Sequence, residues 1–123
     1  MKQRLSDVLA VEFICPTSIE VGDVVVIASS GTVAAISGAG QTTKVGTVCA
    51  HTDAAAYCTV ETRYRERRDD RLSGAAIAVG PFVWNAAGKA IAYDSNTHDP
   101  SAIAGLAITS ASAGDVVIET LEL

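Results

Sequence analysis

The sequence predicts an all-β fold: a small β-barrel or β-tulip-like single domain with short or no helices. Short apolar runs recur along the chain, each bounded by glycine, proline, serine or aspartate, which is the pattern of many short strands. β-Branched residues and threonine dominate those runs, and such side chains favour a pleated surface. Helical spacing is confined to the amino end, where Leu5, Val8 and Leu9 fall on one face, and to a capped turn over Thr52–Ala56. With 123 residues the chain has the common size of one domain and can bury its own core.

The elements follow in order. Residues 1–10 form an amino-terminal arm, and residues 11–123 form the β-rich domain. Val11, Phe13 and Cys15 alternate with Glu12, so Val11–Cys15 is a strand with one buried face. Val24–Ala28 lacks alternation and belongs where both faces are covered. Further strands are expected at Thr32–Ile36, Val45–Ala50, Tyr57–Tyr64, Ala75–Val79, Phe82–Trp84, Ala90–Tyr93, Ile103–Thr109 and Val116–Leu121. The segment Val21-Gly22-Asp23-Val24-Val25 recurs as Ala113-Gly114-Asp115-Val116-Val117, and more loosely at Val79–Val83. Glycine there supplies a positive φ and the aspartate bonds nearby backbone, so each copy is a turn launching a strand. Gly46 and Gly105 interrupt apolar strands, which marks bulges or bends of the kind a small barrel needs.

Charge and cysteine usage narrow the function. Fourteen acidic against nine basic residues give a net charge of −5, which argues against nucleic acid as a partner. No apolar stretch approaches membrane-spanning length, so no membrane partner is expected. Three cysteines, Cys15, Cys49 and Cys58, leave one unpaired and fit a reduced compartment better than a disulfide framework. Cys49 and His51 are two apart on a strand and share a face, so a thiol nucleophile beside an imidazole is conceivable, but no third orienting group accompanies them. Adding Cys58 and His98 gives four zinc-ligand types without zinc-ligand spacing. No metal, cofactor or catalytic set is therefore expected.

The sharpest local feature is Arg63-Tyr64-Arg65-Glu66-Arg67-Arg68-Asp69-Asp70-Arg71, which holds five of the nine basic residues. One reading is a solvated hairpin whose charges pair among themselves. The other is a docking patch, because arginine forks take carboxylates bidentately and Tyr64 adds amphipathic area. On the second reading Arg63, Tyr64, Arg65, Arg67 and Arg68 are the contact residues, joined by Leu5, Val8 and Leu9 of the arm.

The stretch Phe13–Pro16, Ile19–Val26, Gly31–Ile36 and Val45–Val48 resembles the opening of small tailed-phage capsid decoration, or head cement, proteins. Val79–Asn85, Gly88–Ala90, Ile103–Ala107 and Ala113–Val117 resemble their closing half. The Arg-rich segment from Thr62 to Leu72 departs from that family's pattern. The resemblance implies a structural protein without catalytic residues or cofactors, located on the outer surface of an icosahedral capsid after synthesis in the host cytoplasm. It also implies a homotrimer, with the major capsid protein as partner. A role in a tail or fibre base, and a thiol- or metal-dependent enzyme built on Cys49 and His51, are the alternatives.

Overall fold

A computed structural model describes residues 9–16, 18–38, 43–52 and 56–123. The all-β expectation holds: among the described residues ten strands form two sheets, and the helical content is one 3-10 turn at Pro100–Ala102.

The first sheet is a closed barrel of β1 (Leu9–Ile14), β2 (Val24–Ser29), β3 (Thr32–Ala35), β4 (Lys44–Thr52) and β5 (Tyr57–Thr62), in the order β1-β3-β2-β4-β5. Neighbours pair antiparallel, and the ring closes by the parallel bridge Ile14 to Thr32 between β1 and β3. Closure needs sharp local bending, and one-residue register shifts supply it on the β2–β3, β2–β4 and β4–β5 ladders. Val11, Phe13, Val25, Ile27, Val33, Val45, Val48 and Val60 fill the interior, as the alternation of Val11 and Phe13 with exposed Glu12 requires. Val25, Val26 and Ile27 are all buried, matching the unbroken apolar run of β2.

The second sheet runs β6-β10-β9-β7-β8, with β6 (Glu66–Leu72), β7 (Gly80–Trp84), β8 (Ala90–Ala92), β9 (Gly105–Ala107) and β10 (Val117–Glu122). It curls on itself, so that Ser73, just after β6, bridges to Ala90 of β8. β9 is buried on both faces. Leu106, with Leu121 of β10, joins the barrel core, while Ala107 joins Phe82, Ala90, Ile77 and Ile118 in a second core on the concave side.

Several expectations are corrected. β1 opens at Leu9, which pairs with Thr62 and packs on the barrel core, so the domain begins two residues before the expected boundary at residue 11. Leu9 is therefore a wall residue of the barrel and not part of an arm; Leu5 and Val8 lie outside the described residues, as does most of the Thr52–Ala56 turn. Ala75–Val79 is not a strand, since only Ile77 bridges, to Ala111. The Arg-rich run is a strand, β6, paired with β10 and not folded back on itself. In the two Gly-Asp turns the left-handed residue differs: Gly22 takes φ 97°, but in the second copy Asp115 takes φ 61°. Asp23 Oδ2 accepts from the Glu20 backbone, whereas Asp115 is paired with Lys89.

Candidate functional site

The structure divides the Arg-rich run in two. Arg67, Arg68 and Arg71 are neutralised within the chain. Arg71 donates from Nε and Nη2 to the two carboxylate oxygens of Glu122 at 2.7 and 2.8 Å, and its guanidinium lies 4.9 Å from the centre of the Trp84 ring. Thr120 Oγ1 donates to the same carboxylate at 2.8 Å. Burial alone would raise the Glu122 carboxyl, and the bonds from Arg71 and Thr120 outweigh it, leaving that acid below its usual range. Arg68 donates to both oxygens of Asp70 at 3.1 and 2.9 Å, which holds the Asp70 carboxyl low, and it reaches Glu66 at 3.5 Å. Arg67 pairs with Glu119.

Arg63 and Arg65 differ. Neither has a carboxylate partner among the described residues, although both are exposed. Arg63 instead stands over the ring of Tyr64, 5.9 Å from its centre. Tyr64 is only 5% exposed and belongs to the barrel core, so it adds no area to a docking face; its expected role as a surface ring is a correction. The cause lies at the end of β5, where Thr62 Oγ1 accepts from the Tyr64 backbone and turns the chain inward toward Leu106 and Leu121. Burial raises the phenol of Tyr64, against the opposing effect of Arg63.

A further cation, which reading along the chain did not bring to this place, completes the site. Lys44, at the start of β4, joins Arg63 on the rim shared by two adjoining depressions where the barrel meets the curled sheet. One, about 340 Å³, is lined by Val24, Val45, Gly46, Thr47, Glu61 and Thr62. The other, about 310 Å³, is lined by Tyr64, Pro81, Ile103, Gly105 and Leu123. Lys44 likewise has no carboxylate partner among the described residues. In an acidic protein, a junction with two cations that make no ion pair, over a lining that mixes apolar residues with Thr47, Thr62 and Glu61, is suited to acidic protein surface.

The cysteine and histidine residues are placed as follows. The β4–β5 ladder shifts register between Val48 and Ala50, which makes Cys49 the extra residue of a bulge. Val48 opposes Val60 and His51 opposes Cys58, so both lie on the interior side, while Cys49 is exposed. The bulge thus turns Cys49 and His51 to opposite faces, correcting the expectation that residues two apart would share one. Cys49 Sγ lies 3.4 Å from the carbonyl of Thr59. Cys58 is buried; desolvation first, and then the neighbouring Cys15 thiol, push it up to about 12, which keeps it protonated at neutral pH. His98 sits elsewhere, its Nδ1 accepting from the Asp94 backbone beside Tyr93. Among the described residues no group of three or more histidine, cysteine or acidic side chains is placed to hold a metal ion.

No protein-family model matches the chain, no curated protein is similar to it, and no solved structure matches it.

Proposed function

We propose that this protein is a structural component of a virion that decorates the outer surface of an icosahedral phage capsid and holds neighbouring major capsid subunits together. The observation that carries the reading is the cationic junction of Lys44 and Arg63, with exposed Arg65 close by in the chain; none of the three makes an ion pair with a carboxylate among the described residues. The order of sequence signals that resembles head cement proteins supports it, and so does the compact all-β build that such a role requires.

A protein that binds only the assembled shell stabilises it by mass action, because dissociating the shell also costs the bound copies. Carboxylates of adjoining capsid subunits would seat on the two cations, with the apolar part of the lining, Val24, Val45, Ile103 and Leu123, drawing the two surfaces together. Several linked copies would turn modest contacts into tight attachment. Arg67 and Arg68, first considered with Arg63 as contacts, already hold carboxylates and contribute less on this reading.

The test is binding to purified heads assembled without the protein. The triple variant Lys44→Ala, Arg63→Ala, Arg65→Ala is expected to lose at least tenfold in affinity while keeping the far-ultraviolet circular dichroism of the wild type. The variant Arg67→Ala, Arg68→Ala is expected to bind within about threefold of wild type. Undiminished binding by the triple variant removes the junction from the contact, and failure of the wild type to bind heads removes the reading itself.

A further inference from the structure

β6 forms the outer edge of the curled sheet. β10 pairs with one side; β8 meets the other only past the end of the strand, where Ser73 bridges to Ala90, and among the described residues no strand pairs with it over Glu66–Arg71. Such an edge offers unpaired backbone donors and acceptors to any strand that can approach it. Charged side chains usually guard an edge by repelling every neighbour. On β6 both signs are present, in an order that repels most neighbours and accepts one.

The order is Glu66-Arg67-Arg68-Asp69-Asp70-Arg71. Read backwards, each place carries the opposite sign. Laying a second β6 antiparallel beside the first, with Glu66 facing the mate's Arg71, also sets Arg67 against Asp70 and Arg68 against Asp69. Every facing pair is then oppositely charged. A shift of one residue in either direction sets Arg68 against its own copy, or Asp69 against its own copy, and like charges directly opposite destabilise a strand pair.

An unbroken strand would forbid the favourable register. A two-fold axis perpendicular to the sheet keeps each face on its own side, and facing residues must share a face. Glu66 and Arg71 would point in opposite directions along a regular strand. β6 is irregular at the required place. Arg71 opposes Ile118 and Arg68 opposes Thr120, so Asp69 and Asp70 together oppose Glu119. That bulge sets Glu66, Arg68 and Arg71 on the face of Ile118, Thr120 and Glu122, and leaves Arg67 and Asp70 on the other. Glu66 and Arg71 now share a face, as do Arg67 and Asp70. The two bulges would meet at the centre, at Arg68 and Asp69.

We propose that the β6 edge is a self-recognition surface, through which two copies of this chain join antiparallel about a two-fold axis between Arg68 and Asp69. The curled sheet of one copy then continues into the next. The ion pairs that Arg67 makes with Glu119 and Arg68 with Asp70 become parts of one network across the junction. The symmetry is two-fold, unlike the trimer implied by the family resemblance, and the inference uses nothing from that resemblance. Exposed ion pairs are individually weak, so the association is salt-sensitive and strengthened wherever copies are concentrated side by side.

Charge exchange tests the register. Arg67→Asp sets a carboxylate against the mate's Asp70 at both symmetric places, and Asp70→Arg sets a guanidinium against the mate's Arg67. Light scattering coupled to size exclusion, at high protein concentration and low salt, is expected to give twice the monomer mass for the wild type and the monomer mass for either variant alone. An equimolar mixture of the two variants restores opposite charges at both places and is expected to recover the doubled mass, falling at least tenfold in dimer population in high salt. Recovery in the mixture also shows that both variants are folded. A wild type that stays monomeric overturns the proposal, and so does a mixture that fails to pair while the wild type dimerises.

Discussion

The barrel and the curled sheet solve the same problem by different means. The barrel closes on itself, so its interior can be largely apolar, and β-branched side chains from every strand fill it. The curled sheet does not close fully, and its concave side is apolar only where Phe82, Ala90, Ala107 and Ile118 meet. Farther along the same face, Thr120, Glu122 and Arg71 form a hydrogen-bonded cluster beside Trp84, which packs edge-on against Phe82. An open end cannot exclude water, so polar groups that satisfy one another take the place of a core there. One region depends on packing and the other partly on a carboxylate staying ionised.

Both sheets nevertheless share one device, and the largest expected effects come from breaking it. A Cβ added at Gly46 would stand 2.0 Å from the Glu61 carbonyl oxygen, and one added at Gly105 would stand 2.0 Å from that of Leu121. In each case the obstacle is backbone of a paired strand, which cannot turn aside as a side chain can. Gly46→Ala in the barrel and Gly105→Ala in the curled sheet should therefore each cost about 3 kcal/mol or more, read as a lowered denaturant midpoint. A loss below about 1 kcal/mol at either place would show that the strand spacing is looser than described.

The next effect separates the sheets. Glu122→Gln removes the charge that Arg71 is bonded to twice, at a place where the acid is only 8% exposed, and should cost about 1–3 kcal/mol near neutral pH. Because the folded protein holds this carboxyl below its ordinary value, its contribution is complete above the ordinary carboxylate range and disappears as pH falls through the lowered value. The wild type should thus lose more stability on acidification than Glu122→Gln does. Equal acid dependence of the two would show that the cluster is held by packing alone.

The two sheets were also unequally legible in the sequence. Barrel strands have one dry face, and alternation such as Val11-Glu12-Phe13 announces them directly. β6 escaped recognition as a strand because it is an edge: ionic partners occupy one face, solvent the other, and no apolar residue marks the period before Leu72. Ala75–Val79 misled in the opposite sense, since small apolar residues without paired backbone do not make a strand. Tyr64 looked exposed because arginines flank it, yet chain reversal after β5 sends it inward. The Arg run was visible as a cluster, but its division into neutralised and unpaired members depends on Glu119 and Glu122, far along the chain. Lys44 joins Arg63 only through the way the two sheets abut.

Alkali should probe the barrel as acid probes the sheet. Cys58 lies inside the barrel wall and its thiol is raised to about 12 from its ordinary 9.0. Its contribution to stability is therefore complete below the ordinary thiol value, and it is lost as pH rises from there toward 12, because the unfolded chain releases the proton first. Reduced wild-type protein should lose stability over that range, and Cys58→Ala should show a shallower slope despite its lower starting stability. Tyr64, also raised, remains in both and leaves a residual slope. An unchanged slope would mean that water reaches the thiol.

The smallest effect is the most informative about β6. Arg67 with Glu119 and Arg71 with Glu122 are both arginine–carboxylate pairs between β6 and β10, but they occupy opposite faces. The first pair faces solvent, with the Arg67 side chain 46% exposed, so water and salt screen most of its attraction. The second lies on the concave side and is fixed by two parallel bonds and the Trp84 ring. A double-mutant cycle on Arg67 and Glu119 should return about 0.5 kcal/mol or less, decreasing with salt, whereas one on Arg71 and Glu122 should exceed about 1 kcal/mol and respond little to salt. Equal coupling energies would show that the bulge at Asp69 and Asp70 does not separate the faces of β6, and the self-pairing register that depends on that separation would fail with it.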